Sequence, residues 1–470
     1  MSLRKKEDYY GRLSKKRLNT FSLLIVGGYY LRVLLVDPIR ETSYACPSLG
    51  LMYIAAVLEE KSIEVEILEL RFMKRVWTEL KKAISKKNPD IVGATAYTYT
   101  FPEAVKVMKI AKHVNPDILT VLGGPHVTFT DNETLTTFPQ VDVVVRGEGE
   151  YTMLELLKAY NKKNDFKKVK GISFRKNKKI VKTASRPLIT NLDVLPFPAR
   201  HLVSMSRYRE IENSTTMISS RGCPFNCIFC SSRAMWGSKI RMRSPKNVID
   251  EMEQLVEEYH FNIINFADDV FTYDKKRTIK MCEEIKKRGV DVAWECSTRI
   301  DLLSKELLRR MKAAGCTAIF LGIESGCQKV LQRIRKDTRL EQARKVAEWT
   351  RELGIKARLS FMLGCPGENL ETVQKTLHFA KELGELSGGT IGFSMLKAYP
   401  GTELFKNPKK YGITFIDKDW GWKYGVPLFP TCESEELNML QRYKIALRAA
   451  EAEYIWNMKR NRVLEKTFYS

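Results

Sequence analysis

The feature that most constrains the fold is a regular alternation of short apolar segments with longer amphipathic segments, which occurs in two stretches of the chain. In the first stretch, residues 32–160, apolar runs such as Arg32–Val36 and Ile91–Ala94 alternate with helical patterns such as Leu49–Glu60. Strands that alternate with helices predict a mostly parallel sheet with helices on both faces. We therefore predict an α/β fold whose first domain is doubly wound and Rossmann-like, with its ligand site beyond the carboxyl ends of the strands.

The alternation returns over residues 215–396, where six strand-and-helix repeats follow one another. Right-handed crossovers between successive parallel strands would curl such repeats into a partial (β/α)6 barrel of the TIM type. Polar residues come directly after several predicted strands, for example Asp268 and Asp269 after Ile263–Ala267. Since the carboxyl ends of parallel strands meet at one mouth of a barrel, we expect the chemistry there.

Three other segments surround these two domains. Residues 1–31 form a tail that is first basic and then apolar, and residues 161–214 are predicted to be a linker with one short strand, Gly171–Arg175. Residues 397–470 contain an aromatic cluster followed by apolar residues at helical spacing, which predicts a small C-terminal helical region that caps the substrate. A chain of 470 residues with 44% hydrophobic residues is long enough for this organisation.

The formal net charge of +24 favours an anionic partner such as a nucleic acid, a phosphorylated metabolite or an anionic lipid surface. A solvated, lysine-rich surface is the plainer interpretation. No arginine-rich run or RNA-binding motif is visible, so a nucleic-acid partner is not expected. The ten cysteines lack the dense, even spacing of a secreted disulfide scaffold and no signal peptide is recognisable, so we expect a cytoplasmic protein.

Three of these cysteines stand close together in a C-x3-C-x2-C pattern, at Cys223, Cys227 and Cys230. Three cysteines on one short loop cannot all pair as disulfides, and a zinc knuckle would need a fourth Cys or His nearby. A [4Fe–4S] cluster has four irons and normally four thiolate ligands. A loop that supplies three ligands leaves one iron open for a small molecule, and we predict such a cluster here.

This loop resembles the signature of the radical S-adenosylmethionine (SAM) enzymes, including the aromatic Phe229 just before the third cysteine. The resemblance implies that the three cysteines bind the catalytic cluster and that the open iron chelates the amino and carboxylate groups of SAM. The reduced cluster of this family cleaves SAM to a 5′-deoxyadenosyl radical. A reductant such as ferredoxin or flavodoxin is therefore an expected partner.

The same resemblance assigns SAM contacts to the ends of the barrel strands. Asp268 and Asp269 lie where the family binds the SAM amino group, although only their acidic character matches, and a carboxylate can accept hydrogen bonds from an ammonium group. Glu295 and Ser297 share one face of a strand by its period of two, so both are candidates for ribose or carboxylate. A Leu-Gly-Ile-Glu-Ser-Gly stretch matches the family more closely and makes Glu324 a polar SAM contact. For each carboxylate, a plain salt bridge is the alternative.

The turn Leu363–Glu368 resembles the fifth-strand turn that packs near the adenine of SAM. Further cysteines in the same barrel could suggest an auxiliary cluster, but none belongs to a local C-x2-C pair. Free cysteine is among the most buried residue types, so we predict ordinary buried thiols. These residues are Cys296, Cys316, Cys327 and Cys365.

Ahead of the barrel, three motifs resemble the cobalamin-binding domain found before many radical SAM cores: Pro47–Glu59, the Gly-Gly-Pro-His turn and the Arg-Gly-Glu-Gly-Glu turn. The histidine motif that ligates cobalt in methionine synthase-type domains is absent after Asp37, so the lower face of a bound cobalamin should lack a histidine ligand. His126 is the nearby histidine, and a structural role in its loop is favoured. The candidate cofactor-binding residues are Thr95, Gly123, Gly124, His126, Gly147, Glu148 and Gly149.

Taken together, the chain resembles the family of anaerobic magnesium-protoporphyrin ester cyclases and B12-dependent radical SAM methyltransferases. The resemblance implies methyl transfer to an unactivated carbon, with cyclisation or carbon–carbon coupling on a lipid or tetrapyrrole as the alternative. A tRNA methylthiotransferase would carry a second cysteine trio in its N-terminal domain, where only Cys46 is present. A non-catalytic sensor is disfavoured by the intact cysteine loop. The aromatic cluster and the N-terminal tail predict an apolar small-molecule or lipid substrate and a peripheral membrane contact.

Overall fold

The computed structural model describes residues 31–39, 46–161, 166–416 and 420–468, so the predicted tail, residues 1–31, lies outside the described residues apart from Leu31. The N-terminal sheet has seven strands: β1 (Arg32–Asp37), β2 (Glu64–Glu69), β3 (Ile91–Thr95), β4 (Leu119–Gly123), β5 (Val143–Val145), β6 (Ile172–Lys176) and β7 (Lys179–Lys182). Its helices are α1 (Leu49–Glu59), α2 (Val76–Lys87), α3 (Phe101–Val114), α4 (Pro125–Phe129), α5 (Asp131–Thr137) and α6 (Glu150–Asn161).

The first five strands are parallel and stand in the order β2-β1-β3-β4-β5. Apolar residues point to both faces of this sheet, as β1 illustrates. Val33 and Leu35 pack into the core on one face, whereas Leu34 and Val36 pack into the core on the other. A parallel sheet that is buried on both faces requires such continuous apolar strands. The predicted doubly wound domain is confirmed.

The sheet continues into the segment that was predicted to be a linker. Strands β6 and β7 add to the edge at β5 as an antiparallel hairpin, with Val143 opposite Phe174. The two residues of the hairpin turn, Asn177 and Lys178, have φ angles of 51° and 63°. Positive φ at both turn positions gives the twist that a two-residue hairpin needs. The turn carries no glycine, which is why the sequence pattern did not indicate a hairpin.

The second domain is built on a six-stranded parallel sheet in the order β8-β11-β12-β13-β14-β15. Its strands are β8 (Ser214–Met217), β11 (Ile263–Phe266), β12 (Ala293–Thr298), β13 (Cys316–Glu324), β14 (Lys356–Leu363) and β15 (Thr390–Met395), and a separate ribbon is formed by β9 (Ser220–Arg221) and β10 (Arg241–Met242). Its helices are α7 (Met205–Glu212), α8 (Ser232–Trp236), α9 (Pro245–Glu257), α10 (Lys275–Arg288), α11 (Lys305–Ala313), α12 (Gln328–Arg333), α13 (Leu340–Glu352) and α14 (Leu370–Ser387). The predicted partial (β/α)6 barrel is confirmed.

The two faces of this sheet differ in chemistry because its strands alternate apolar and polar residues. Phe266, Cys296 and Leu321 face the helices and are buried in the main core. On the opposite face, register pairs Asn265 with Glu295, and Ser297 lies two residues further along β12. The polar face is therefore the inner face of the partial barrel. The prediction that Glu295 and Ser297 share a face agrees with this arrangement.

The C-terminal region comprises α15 (Glu403–Lys406), β16 (Ile413–Phe415), α16 (Trp422–Gly425), β17 (Cys432–Ser434) and the long helix α17 (Met439–Phe468). Helix α17 packs beside β15, where Trp456 donates a hydrogen bond to the Gly389 carbonyl at 3.1 Å. Across the described ranges, no helix combines the length and the apolar character needed to cross a membrane.

Candidate active site

A cavity of about 510 Å³ lies where the carboxyl ends of the N-terminal strands meet the barrel. Its barrel side includes Ser231 and Ser232, which directly follow the cysteine loop. The cavity is thus shared between the two domains. Eight residues that were predicted from the sequence to bind a cofactor line it: Thr95, Gly123, Gly124, His126, Gly147, Glu148, Gly149 and Asp269.

Glycines allow two loops to approach each other closely at this cavity. Gly124 has a φ angle of +101°, and a Cβ atom there would lie 2.7 Å from the backbone nitrogen and oxygen of Ala96. No other residue type fits this position, because both the backbone conformation and the space exclude a side chain. Gly147 has a φ angle of +73°, and a Cβ atom added there would meet nothing within 4 Å, so its missing side chain leaves open space beside the cavity. These features fit a bulky cofactor such as cobalamin.

His126 is held as a neutral, buried side chain at the edge of this cavity. Its Nδ1 atom lies 3.2 Å from the hydroxyl of Thr98, and its ring packs against Phe101 at 4.3 Å and Trp420 at 5.0 Å between centroids. Burial lowers the pKa of His126 to about 3. These contacts occupy Nδ1 and the ring faces, whereas the buried Nε2 atom has no hydrogen-bond partner among the described residues. The structural role favoured for this residue stays a prediction.

A salt-bridge network joins the domains along one wall of the cavity, and the sequence did not indicate it. Arg221 donates to Glu148 at 2.9 Å and to Glu150 at 2.6 Å. Its guanidinium also lies over the rings of Tyr53 and Trp236, at 5.3 and 5.6 Å from their centroids. Glu148 was predicted to bind a cofactor, but its carboxylate already accepts from Arg221. The one signal in the sequence was the position of Arg221, two residues before the first cysteine of the loop.

The cysteine loop carries three free thiols and nearby cations that suit a [4Fe–4S] cluster, although the described residues contain no preformed group of three metal-binding side chains. Cys223 and Cys227 are half-buried and Cys230 is exposed, and all three are free thiols. Burial raises the pKa of Cys223 to about 11, so its thiolate form requires a stabilising charge. Arg299 lies 3.9 Å from the Cys227 sulfur, and Lys336 also acts on that thiol electrostatically. A cluster ligated by three thiolates is anionic, so these residues fit it.

The neighbouring carboxylates of Asp268 and Asp269 differ in their accessibility to a ligand. Asp268 is buried and accepts hydrogen bonds from the Ser219 amide at 2.7 Å and from the hydroxyls of Ser219 and Ser220 at 2.6 Å each. Asp269 lines the cavity and accepts from the Ser232 hydroxyl at 2.6 Å. Asp268 therefore orients the segment that leads into the cysteine loop. Asp269 is the carboxylate that a ligand can reach.

The remaining predicted SAM residues lie on β12 and β13 of the barrel. Glu295 pairs with Arg358 at 2.7 Å, and Ser297 lines a small inner cavity of about 190 Å³. Glu324 pairs with Lys336 at 2.8 Å and has a φ angle of +70°, a backbone conformation that costs energy for a residue with a side chain. The two glutamates thus make the salt bridges that were the alternative interpretation. Glu324 ends β13 at the barrel mouth, whereas the prediction that Glu295 lies at a strand end is wrong, because it is the third residue of β12.

Phe229 is half-buried and packs against an apolar cluster that includes Leu404.

The turn that was predicted to lie near adenine is stabilised by Glu368. The carboxylate of Glu368 accepts hydrogen bonds from the backbone N–H groups of Gly364 and Cys365 at 2.6 and 3.1 Å. Burial raises the pKa of Glu368 to about 7. Arg442 of α17 donates to the Gly364 carbonyl at 2.9 Å, so the C-terminal region also fixes this turn.

Comparison with known proteins identifies both domains. Residues 217–380 match the family model of the Radical SAM superfamily, and residues 37–157 match that of the B12 binding domain. The uncharacterized methyltransferase PH0819 of Pyrococcus horikoshii is 37% identical over 383 residues, which cover 80% of this chain and 83% of that protein. The anaerobic magnesium-protoporphyrin IX monomethyl ester cyclase of Rubrivivax gelatinosus is 35% identical over 337 residues, covering 70% of this chain and 60% of that protein.

Solved structures agree on the architecture. The radical S-adenosylmethionine methyltransferase TsrM from Kitasatospora setae, with cobalamin and a [4Fe–4S] cluster bound, superposes with a TM-score of 0.72 at 19% identity, covering 88% of this chain and 84% of that one. The cobalamin-dependent radical enzyme OxsB superposes with a TM-score of 0.68 at 19% identity, covering 90% and 61%. At this identity the likeness establishes the fold. Both domain matches and the relative from Pyrococcus horikoshii establish the family: the chain belongs to the radical SAM superfamily, to the enzymes that carry a B12-binding domain ahead of the radical SAM domain.

Proposed function

We propose that this enzyme is a cobalamin-dependent radical SAM methyltransferase that acts at an unactivated carbon. The observation that carries the proposal is the shared cavity. Its walls combine Gly124 and Gly147 of the B12-binding domain with Ser232 and Asp269 of the barrel. Ser232 in turn accepts a hydrogen bond from the thiol of Cys230 at 3.3 Å, so the cavity reaches the cysteine loop. A cobalamin and a SAM molecule bound at these positions would be neighbours.

When bound, the cluster with SAM supplies a carbon-centred radical, and cobalamin supplies a methyl group. The chain's own residues hold and orient these groups. Cys223, Cys227 and Cys230 would ligate the cluster, and Asp269 would accept hydrogen bonds from the SAM ammonium group. Ser297 and Glu324 would contact the rest of SAM. Thr95, Gly123, Gly149 and His126 would shape the cobalamin side of the cavity.

The cavity walls are also rich in aromatic side chains. Tyr53 is buried, and Trp236 and Tyr399 line the cavity beside it. Aromatic walls offer a large apolar surface against which a bulky cofactor and an apolar substrate can pack. The relative from Pyrococcus horikoshii, a methyltransferase by description, supports methyl transfer as the outcome.

The test is a paired product assay on anaerobically reconstituted enzyme with SAM, hydroxocobalamin and a chemical reductant. Candidate substrates are apolar lipids and tetrapyrroles. Methyl transfer predicts one S-adenosylhomocysteine and one 5′-deoxyadenosine for each methylated product. A converted substrate with 5′-deoxyadenosine but no S-adenosylhomocysteine would reject methyl transfer. The Cys227→Ala variant is the control for background cleavage.

A second candidate function is oxidative cyclisation or carbon–carbon coupling on the same scaffold. The relative from Rubrivivax gelatinosus favours it, because a cyclase of that description is 35% identical to this chain. The product assay separates the two functions. Cyclisation consumes no methyl group, so its product does not gain the mass of an added carbon.

We further propose an apolar small-molecule or lipid substrate, reached from a membrane surface. The outer face of α17 leaves large apolar side chains in solvent, with Leu440, Leu447 and Tyr454 exposed by 64%, 72% and 66%. Exposed apolar residues aligned on one helix face suit insertion into the interfacial region of a bilayer. Flotation with anionic liposomes tests this. Binding that persists in a Leu440→Ser/Leu447→Ser variant would exclude α17 as the contact.

A further inference from the structure

Two buried polar side chains on the B12 side of the shared cavity each keep one atom without a hydrogen-bond partner. These atoms are Oε2 of Glu150 and Nε2 of His126, and neither is bonded to any part of the chain that the structure describes. Glu150 is 4% exposed, His126 is 2% exposed, and both residues line the cavity. Buried polar groups in native proteins are normally paired, because an unpaired group has lost its water without gaining a partner. The two atoms therefore indicate a ligand that forms hydrogen bonds at this wall.

Other contacts hold both side chains in place. The Oε1 atom of Glu150 accepts a hydrogen bond from Arg221 at 2.6 Å. The Nδ1 atom of His126 lies 3.2 Å from the hydroxyl of Thr98, and its ring packs against Trp420 at 5.0 Å between centroids. Because these contacts restrict rotation, a ligand would meet Glu150 and His126 as preorganised groups.

The position of the two residues assigns the ligand to the B12-binding domain. His126 belongs to the turn after β4, and Glu150 begins α6 after the turn that follows β5. Strands β4 and β5 are neighbours in the sheet, so the two turns lie on the same edge. Gly147 of the second turn leaves open space there, since a Cβ atom added to it would meet nothing within 4 Å. The residues proposed to contact SAM lie on the barrel instead.

The hydrogen-bonding requirements of the two atoms identify the chemical group that binds. A carboxylate accepts hydrogen bonds and donates none, so Oε2 of Glu150 needs a donor. A neutral imidazole has one donor and one acceptor nitrogen, so Nε2 of His126 takes either role according to its tautomer. A primary amide offers both N–H donors and a carbonyl acceptor, and it satisfies both atoms with either tautomer. The rim of a corrin ring carries such amides on its acetamide and propionamide side chains.

We propose that Glu150 and His126 are specificity-determining residues that select a corrinoid with amidated side chains. Glu150 accepts a hydrogen bond from an amide N–H, and His126 bonds to an amide N–H or carbonyl. A carboxylate in place of the amide at Glu150 would bring a second negative charge into a buried site and would offer no donor. The enzyme therefore discriminates against corrinoids whose side-chain amides have been hydrolysed. The inference rests on the proposed function only in that the shared cavity holds the cobalamin.

The experiment measures corrinoid affinity by equilibrium dialysis of the full-length, anaerobically reconstituted enzyme at neutral pH. The probes are hydroxocobalamin and the monocarboxylic acids that form when one of its propionamide side chains is hydrolysed. Glu150→Gln keeps the size of the side chain, removes its charge and adds N–H donors. Glu155→Gln is the matched control, because Glu155 lies on the same helix but pairs with Arg186 outside the shared cavity. His126→Leu removes the imidazole.

Wild type should bind hydroxocobalamin about tenfold or more tightly than at least one of the monocarboxylic acids, because like charges in a buried site repel strongly. Glu150→Gln should reduce this selectivity ratio by roughly fivefold or more, since glutamine can donate to a carboxylate. A loss of structure alone would weaken all the corrinoids by the same factor and leave the ratio unchanged. His126→Leu should weaken hydroxocobalamin binding by roughly tenfold, because a ligand amide loses its partner. Glu155→Gln should behave as wild type.

Equal affinities of the wild type for all the corrinoids would overturn the proposal and leave cobalamin as the cofactor. A Glu150→Gln variant with the wild-type selectivity ratio, or a His126→Leu variant with the wild-type affinity for hydroxocobalamin, would also overturn it. Failure of the wild type to bind any corrinoid would reject the selection together with the proposed use of the cavity. None of these measurements depends on methyl transfer, so failure of the proposed methyltransferase activity is distinguishable from failure of corrinoid selection.

Discussion

Arg221 and Glu148 form a buried ion pair across the domain boundary, with 2.9 Å between the guanidinium nitrogen and the carboxylate oxygen. Their side chains are 6% and 2% exposed. Arg221 belongs to the ribbon strand that leads into the cysteine loop, and Glu148 follows the last parallel strand of the B12-binding sheet. The pair therefore fixes the first cluster ligand relative to the floor of the shared cavity.

Replacing Arg221 with alanine should destabilise the protein strongly, because the buried Glu150 would lose its guanidinium partner and Glu148 would keep only Arg241. Removing one partner of a buried pair costs about 3–5 kcal/mol of unfolding free energy. Urea denaturation followed by tryptophan fluorescence measures this change. The exposed pair Lys246–Asp250 supplies the control, and Lys246→Ala should change stability by less than about 1 kcal/mol. Similar losses in the two variants would contradict a structural role for the buried pair.

Replacing Cys227 with alanine should abolish the cluster, since two remaining thiolates cannot retain it. Iron content and visible absorption after anaerobic reconstitution report the loss, together with SAM cleavage under dithionite. Cys282→Ala is the matched control, because Cys282 is a buried thiol of the barrel core. That variant should keep its cluster and lose only packing energy. A Cys227→Ala enzyme that still cleaved SAM would refute the assignment of the loop.

Replacing Gly124 with alanine should impair cobalamin retention and stability together. The new Cβ atom would meet the Ala96 backbone at 2.7 Å, at a φ angle of +101° that disfavours a side chain. Strain and overpacking of this kind cost about 1–3 kcal/mol. Thermal unfolding and retention of hydroxocobalamin through gel filtration are the readouts. In thermal unfolding, Gly50→Ala should be neutral or slightly stabilising, because nothing lies within 4 Å of the added Cβ atom. Gly50 also lines the cavity, so this variant is a control for stability alone.

The low pKa of His126 predicts a specific dependence of stability on pH. The folded protein keeps this histidine neutral down to about pH 3, whereas the unfolded chain binds a proton below about pH 6.5. The unfolded state therefore binds more protons in this window, and stability falls as pH decreases through it. The difference in unfolding free energy between wild type and His126→Gln should vary by about 1.4 kcal/mol per pH unit from pH 6 to pH 4. A difference that is constant over this range would contradict the burial of a neutral imidazole.

A bound cobalamin should show no coordination by a protein histidine. The loop after Asp37 contains no histidine, and the imidazole of His126 contacts Thr98 and two aromatic rings. Electron paramagnetic resonance of the reduced cofactor on the enzyme should therefore lack the hyperfine splitting of a histidine nitrogen. The spectrum should be the same for the His126→Gln variant. A splitting that disappears in this variant would identify His126 as a cobalt ligand.

The sequence predicted the architecture well because the parallel strands of the first sheet are continuous apolar runs, those of the barrel alternate apolar and polar residues, and helical patterns separate both sets. Sequence patterns missed the features that depend on contacts between residues far apart in the chain. The ion pair of Arg221 with Glu148 joins residues that are 73 positions apart, and no local pattern indicates it. Asp268 and Asp269 looked equivalent in sequence, and only the serines at 219 and 220 distinguish the buried carboxylate from the accessible one. Short helix α4 occupies part of a turn that was predicted as a loop, since its five residues give no periodic signal.

The shared cavity takes its first wall residue from Leu35 and its last from Pro400. A chain emerging from the ribosome completes its N-terminal domain first. The ribosome must then add a further stretch that ends at Pro400, which takes on the order of tens of seconds at the usual rate of synthesis. Throughout that interval the nascent domain presents Tyr53 and its glycine turns to the surrounding medium. The complete cavity therefore exists only after the barrel has been synthesised, so enclosure of a ligand there requires both domains.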